Sequence, residues 1–177
     1  TYRAVDVLKS AAAIACEDTR TSHVLLKHYG ITTPTFAFHE HNRAAGKEEI
    51  LKRLSEGQAI ALISDAGTPL VSDPGEELVK AVWEAGHSVI PIPGASAIIT
   101  ALSAAGVGTE GFYFAGFLPT QKKERDARIA FLRALPSTIA LYEAPHRITE
   151  TLEILLAAFG DRNAVIAREL TKTHETF

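Results

Sequence analysis

The sequence has one cysteine, Cys16, among 177 residues. No disulfide framework and no thiolate metal cluster can be built from it, and a reducing cytoplasm is the expected compartment. It also lacks an excess of basic residues. Eighteen Lys and Arg against 21 Asp and Glu leave a net charge of −3, so no global positive field advertises a nucleic-acid partner, and only a local patch could do so. No apolar run approaches the length of a transmembrane span and no signal-peptide pattern opens the chain, so no membrane partner is expected. The Gly-x-Gly-x-x-Gly fingerprint of dinucleotide folds and the Gly-Lys-Ser/Thr of a phosphate loop are both missing, as are internal repeats and low-complexity segments. Thr1 stands where a start methionine would, and no stop signal follows Glu175; both read as an excerpt of a longer protein.

What is present is ordinary for a globular α/β protein: 46% hydrophobic and 22% charged residues, enough for one large domain or two small ones. The chain is organised around residues 60–75. The apolar run Ile60–Ile63 stops in the small and polar residues Ser64–Pro69, and a helix with Leu78, Val79 and Val82 on one face follows. Asp73 as N-cap, Pro74 at the first helical position and Glu76 as the closing acid of a capping box predict where that helix starts, and Gly86 where it stops. Around this unit, strands are expected at 12–16, 35–38, 88–92, 112–117, 138–142 and 164–167. Helices are expected from about Thr21 to Gly30, over 47–55, 97–105 and 121–135, and up to Gly160. Alternating strands and helices argue for parallel βα units. The Pro91–Gly94 turn is the expected boundary between a first domain, residues 1–92, and a second, residues 93–177.

Six polar motifs each follow a predicted strand: Glu17–Arg20, His39–Asn42, Ser64–Pro69, Gly94–Ala97, Glu143–Arg147 and Arg168–Lys172. In a parallel sheet such ends share one edge, where open α/β sheets bind their ligands. Ser64–Pro69 offers no side chain large enough to keep a ligand from the backbone, although a plain βα turn would look similar. Glu17-Asp18-Thr19-Arg20 supplies two carboxylates, a hydroxyl and a guanidinium. Asp18 or Thr19 can simply cap the next helix; alternatively Arg20 grips a phosphate while an acid orients a hydroxyl. His39 and His41 would share a face if the strand continued, but with no third ligand, hydrogen bonding at the rim is preferred to a metal. Glu143–Arg147 is either a capped, charged helix start or places His146 or Arg147 against a polyanion. Lys122, Lys123, Arg125, Arg128 and Arg133 against Glu124 and Asp126 form the one marked basic concentration. Such a face is usually merely solvated, but it is also the best candidate for RNA phosphates.

Taken together, Cys16–Arg20, Ser64–Pro69 with Ser72–Gly75, Pro93–Ala97, Gly116–Pro119, Tyr142–Arg147 and Arg168–Lys172 resemble, in order and over nearly the whole chain, the small-subunit ribosomal RNA (cytidine-2′-O)-methyltransferases of the tetrapyrrole-methylase superfamily. The resemblance implies two αβα domains with mainly parallel sheets, an inter-domain cleft for S-adenosylmethionine, and a homodimer acting on small-subunit ribosomal RNA in the cytoplasm. Carried over by motif, Asp65, Gly67, Thr68, Pro69, Val71, Ser96, Ala97 and Tyr142 would contact the cofactor. Glu17, Asp18, Arg20, His146, Arg147, Glu169 and Lys172 are the unranked candidates for activating or polarising the ribose hydroxyl. No metal is implied. Ala95 and Ala144 replace a proline and a serine common in that family. Its initial strand with Thr-Pro-Ile-Gly-Asn, and the remainder of its second domain, have no counterpart here. A tetrapyrrole or protein acceptor, or a non-catalytic RNA-binding module, are the rival readings.

Overall fold

A computed structural model describes every residue except Pro74 and Thr109, and the chain divides into two compact units, Thr1–Ser96 and Ala97–Phe177. In the first unit, strands β1 (Ala13–Cys16), β2 (Thr35–Ala37) and β3 (Ile60–Ile63) form a parallel sheet in the order β2-β1-β3. The central strand is buried at all four positions, as expected of a strand covered on both faces. On one face Leu8 of α1 (Tyr2–Ser10) and Leu26 of α2 (Thr19–His28) pack with Ile14 and Cys16. On the other, Ile50 of α3 (Arg43–Ser55) and Leu78 and Val82 of α4 (Glu76–Glu84) pack with Ala15 and Phe38. The result is an αβα sandwich, with period-2 alternation sending adjacent β1 side chains to opposite layers.

The second unit holds α5 (Ala97–Ala104), β4 (Phe112–Phe117), α6 (Lys122–Arg133), β5 (Thr138–Tyr142) and α7 (Ile148–Phe159). β4 and β5 pair in parallel. Ile129 and Leu132 of α6 and Ile154 and Leu155 of α7 pack with Tyr113, Ala115, Ile139 and Leu141. The register of the pair shifts between Phe114 and Phe117, and Gly116 takes φ +64° there. That left-handed residue allows a bulge, which brings Phe117 to the same side as Phe114; both rings lie against Tyr142, at 5.5 and 4.9 Å between centroids.

Two strands expected from the sequence are absent. Residues 88–92 take no regular secondary structure and join no sheet, although β3 ends the order β2-β1-β3 and its outer edge carries no strand among the described residues. Residues 164–167 likewise join no sheet; the chain there makes only an antiparallel bridge, Arg168 to Thr176. The start of α4 also differs. Its N-cap is Gly75, at φ +139°, with no side-chain cap bond, so the Asp73–Glu76 capping box does not form; Pro74 lies outside the described residues. Left-handed backbone at Gly67, Leu70 and Ser72 (φ +76°, +73° and +66°) keeps residues 64–73 out of regular structure ahead of the helix at Glu76. The helix expected from Thr21 begins earlier, at Thr19, because Asp18 caps it.

Candidate functional site

The order β2-β1-β3 puts the loops after all three strands on one sheet edge. Cys16 is opposite Ile63 in the register of β1 and β3, so Glu17 and Asp18 emerge beside Ser64 and Asp65. The backbone N–H of Asp18 donates to Asp65 Oδ1 at 3.2 Å, and the backbone N–H of Asp65 donates to Glu17 Oε2 at 3.4 Å. Asp18 is also the N-cap of α2, its Oδ1 accepting from the Arg20 N–H at 2.8 Å. The Arg20 guanidinium closes on the same carboxylate at 2.7 Å. These bonds from Arg20 pull the Asp18 carboxyl down from its ordinary value of 3.8 to about 2, and Asp18 in turn raises Arg20.

Beneath this rim lies Cys16, fully buried. Burial pushes its thiol upward and the negative Asp65 adds to the effect, while the neighbouring Ser22 hydroxyl opposes it.

The central loop is open. Asp65, Gly67 and Thr68 are exposed, and Leu70 and Val71 present apolar surface to solvent. A Cβ added at Gly67 would meet no atom within 4 Å. The Ser64 hydroxyl donates to the Ala66 carbonyl at 3.2 Å, and the Val71 N–H to the Thr68 carbonyl at 3.2 Å. Left-handed non-glycine residues such as Leu70 and Ser72 cost on the order of 1–3 kcal/mol each and gather where a loop's shape is functionally demanded.

After β2 the strand does not continue. Residues Glu40–Asn42 form a 3-10 turn, so the same-face alignment of His39 and His41 is lost; their rings meet edge to face at 5.9 Å. The Asn42 side chain accepts from the His39 N–H and donates to the Ala37 carbonyl, each at 2.8 Å, which spends it on the loop itself. Beside the turn lies a cavity of about 190 Å³ lined by Phe38, Arg43, Lys47, Asp73, Glu76 and Glu77 among others. Arg43 and Lys47 escaped the sequence reading. Their i,i+4 spacing on one helix face is the signal that could have found them.

The turn Gly94–Ala97 follows no strand. It is tethered instead by the Thr1 hydroxyl, which donates to the Pro93 carbonyl at 3.1 Å. Ser96 ends the first unit and Ala97 opens α5 at the start of the second.

In the second unit the motif after β5 is bound to its own scaffold. The Glu143 side chain is 6% exposed and carries an ion pair to Arg147 Nε at 3.5 Å. Its Oε1 accepts the Ala144 N–H at 2.7 Å and its Oε2 accepts the Thr151 hydroxyl at 2.6 Å. Arg147 also donates to the Leu118 carbonyl at 3.1 Å. His146, in contrast, is exposed. Glu169 and Lys172 lie together in the 168–176 loop, paired at 3.2 Å. Of the seven candidate catalytic residues, therefore, Glu17, Asp18 and Arg20 share the rim of the first unit, and His146, Arg147, Glu169 and Lys172 lie on two loops of the second.

A sequence profile described as Tetrapyrrole (Corrin/Porphyrin) Methylases matches residues 1–177. The chain is 51% identical to a ribosomal RNA small subunit methyltransferase I of Synechocystis sp., over 100% of this chain and 64% of that protein. With the protein of the same name from Bacillus subtilis it shares 48% identity over 100% of this chain and 61% of the relative. It thus spans somewhat less than two thirds of such relatives. Among solved structures, the uroporphyrin-III-C-methyltransferase of Thermus thermophilus superposes with a TM-score of 0.58 at 21% identity, covering 89% of this chain and 66% of that one, a likeness of fold. With the profile matching from end to end, this chain belongs to the tetrapyrrole methylase family.

Proposed function

We propose that this protein transfers a methyl group from S-adenosylmethionine to the ribose 2′-hydroxyl of a cytidine in small-subunit ribosomal RNA. The observation that carries the reading is the likeness, at 48% identity and above over the whole chain, to proteins named ribosomal RNA small subunit methyltransferase I. The residues at the rim fit such a cofactor. The Asp65 carboxylate suits sugar hydroxyls, the exposed backbone around Gly67 and Thr68 suits polar edges, and the bared Leu70 and Val71 suit apolar parts. On this reading Asp65, Gly67, Thr68, Pro69 and Val71 hold it, with Ser96, Ala97 and Tyr142 as further contacts carried by the motif resemblance. When bound, S-adenosylmethionine supplies an electrophilic methyl group on a sulfonium.

The chain's own residues would position the acceptor in line and take or stabilise the hydroxyl proton. Two of the seven candidates suit proton transfer best. Glu17 Oε2 accepts from the Asp65 N–H while its Oε1 has no hydrogen-bond partner among the described residues, and His146 is exposed. Asp18 is too acidic to be an effective base near neutrality, and Arg147 spends its guanidinium on Glu143 and Leu118. Glu169 and Lys172 offset each other, and Arg20 is held by Asp18. The reading includes a homodimer working in the reducing cytoplasm, the compartment that suits a chain with a single free, buried cysteine.

The test uses the protein expressed from its complete gene, purified small ribosomal subunits and S-adenosylmethionine labelled in the methyl group. Label recovered in an alkali-resistant dinucleotide is the expected result, because a 2′-O-methyl group removes the hydroxyl that alkaline cleavage needs. Cofactor binding without label in RNA would overturn the acceptor.

A further inference from the structure

The proposed acceptor is a polyanion, yet the chain carries a net charge of −3 and the first unit's rim is lined by Glu17, Asp18 and Asp65. We propose that the solvent face of α6, with Lys122, Lys123, Arg128 and Arg133 and the aromatic pair Tyr113 and Phe131, is the surface that docks RNA. This rests on the ribosomal RNA reading above and extends it to where the RNA lies on the second unit.

The charges on α6 are not explained by what the helix itself needs. Lys122 and Lys123 occupy its first turn, where the helix dipole disfavours cations by about 0.3–1 kcal/mol each, and the Gln121 N-cap makes no side-chain bond there. Arg125 is the cation that structure does account for, since it is 17% exposed and paired with Glu150 at 3.1 Å. Lys122, Lys123, Arg128 and Arg133 are exposed and make no ion pair among the described residues. Lys122 and Arg133 stand eleven residues apart on nearly the same flank, a reach of about 16 Å at 1.5 Å per residue, enough to meet several phosphates of one strand. Asp126 is the acid within that row and Glu124 stands one turn before Arg128; Lys122, Lys123, Arg128 and Arg133 outnumber the two.

Two features favour RNA over other acidic partners. The apolar residues of α6 turn inward, with Ile129 5% and Leu132 0% exposed, so the outer face lacks the apolar stripe with which an interfacial helix enters a lipid surface. Phe131, in contrast, is 47% exposed; its ring meets Tyr113 edge to face at 5.5 Å. The Tyr113 hydroxyl accepts from Arg128 at 3.3 Å. Rings beside a guanidinium are the platform on which unstacked bases rest, alongside cations that follow the backbone.

The experiment measures the affinity of the complete protein for deproteinised small-subunit ribosomal RNA across a salt series, with calorimetric binding of S-adenosylmethionine as the control. The triple variant Lys122→Gln, Lys123→Gln, Arg133→Gln is expected to bind RNA at least tenfold more weakly. Its log–log salt slope should fall by about 2, at roughly 0.7 per single-strand phosphate contact, with cofactor affinity unchanged. Lys123→Gln alone, a single change on an exposed position, should lower the slope by about 0.7 and serves if the triple variant unfolds. Phe131→Ala should weaken binding roughly tenfold with no change of slope. Unchanged affinity and slope in these variants, while the wild type methylates RNA, would overturn the surface and leave the methyltransferase reading standing. A wild type that neither binds nor methylates the RNA would overturn both, and binding of these cations to anionic phospholipid vesicles in place of RNA would overturn the surface.

Discussion

Asp18 and Asp65 are joined across the carboxyl edge of the first sheet: the Asp18 N–H donates to Asp65 Oδ1 at 3.2 Å, and Asp65 reaches back through its own N–H to Glu17 at 3.4 Å. The in-register pairing of β1 and β3 makes the contact geometrically available. The Asp65 carboxylate thereby fixes the loop that is proposed to hold the cofactor. Asp65→Ala removes the acceptor and should weaken S-adenosylmethionine binding at least tenfold, about 1.4 kcal/mol. Asp65→Asn keeps an acceptor oxygen and should lose less. Calorimetric titration of the complete protein separates the cases, and equal affinity of wild type and Asp65→Ala would contradict this role.

The Asp18 carboxyl should titrate at about 2, below its ordinary 3.8, chiefly because of the Arg20 hydrogen bonds. A carboxylate whose folded value is depressed lends its stabilisation above the unfolded value and loses it as pH falls through the folded one. This contribution is therefore complete above about pH 4 and gone near pH 2. The Asp18 site is open to solvent, so the effect on global stability is small. Carbon-detected NMR titration of the side chain should show the low midpoint, and Arg20→Gln should return it toward 3.8; no movement in that variant would assign the shift to something other than Arg20.

The parallel βα order and the open loop at residues 64–69 were legible because strand residues, small loop residues and helix faces carry local patterns. Residues 88–92 look like a strand for the same reason. Whether they pair depends on the path that carries them to the free edge of β3, which the tertiary course of the chain sets and a local pattern does not report. The start of α4 misled because Asp73 and Glu76 match a capping box by spacing alone. The backbone of Leu70 and Ser72 is left-handed, which spacing does not report. At Glu143–Arg147 the sequence announced charge but not its use: the acid and the guanidinium are partners of each other and of Thr151 and Leu118. Long-range partners of polar side chains are set by packing, and residue type alone does not reveal them.

Gly46 lets α3 lie close to Phe38, at the entry to the His39–Asn42 turn. A Cβ at this position would stand 2.7 Å from Phe38 Cδ2, and Phe38 is 4% exposed within the core. Gly46→Ala gains up to about 1 kcal/mol of helix propensity, but overpacking costs about 1–3 kcal/mol. The expected sum is a destabilised protein, by about 1 kcal/mol in chemical denaturation. A stabilised variant would mean that the Phe38 ring yields freely.

Thr151 supplies the hydroxyl that satisfies Glu143 Oε2 at 2.6 Å. Thr151→Val preserves shape and removes the donor, so a nearly buried carboxylate oxygen loses its partner at a cost of about 1–3 kcal/mol. Thr151→Ser keeps the hydroxyl and should recover most of that loss. Denaturant midpoints of the two variants test the claim. A Thr151→Val variant as stable as the wild type would contradict it, because that change keeps the methyl group and removes only the hydroxyl.

Cys16 should be inert while the protein is folded. It is fully buried, and burial raises the thiol above its ordinary 9.0 against an opposing pull from Ser22, with the negative Asp65 adding a smaller upward push. The thiolate is the nucleophile that attacks an alkylating reagent, so both access and ionisation are withheld near neutrality. For a group whose folded value is raised, the stabilisation is complete below the unfolded value and is lost as pH rises through the folded one; here that loss begins above about pH 9. Alkylation followed by peptide mapping should show Cys16 unlabelled at pH 8 in buffer and labelled in denaturant. Asp65→Asn removes the negative charge and lowers the thiol value, but leaves the site buried, so native labelling should remain slow. Fast labelling of Cys16 in the native wild type would show that the rim opens down to β1.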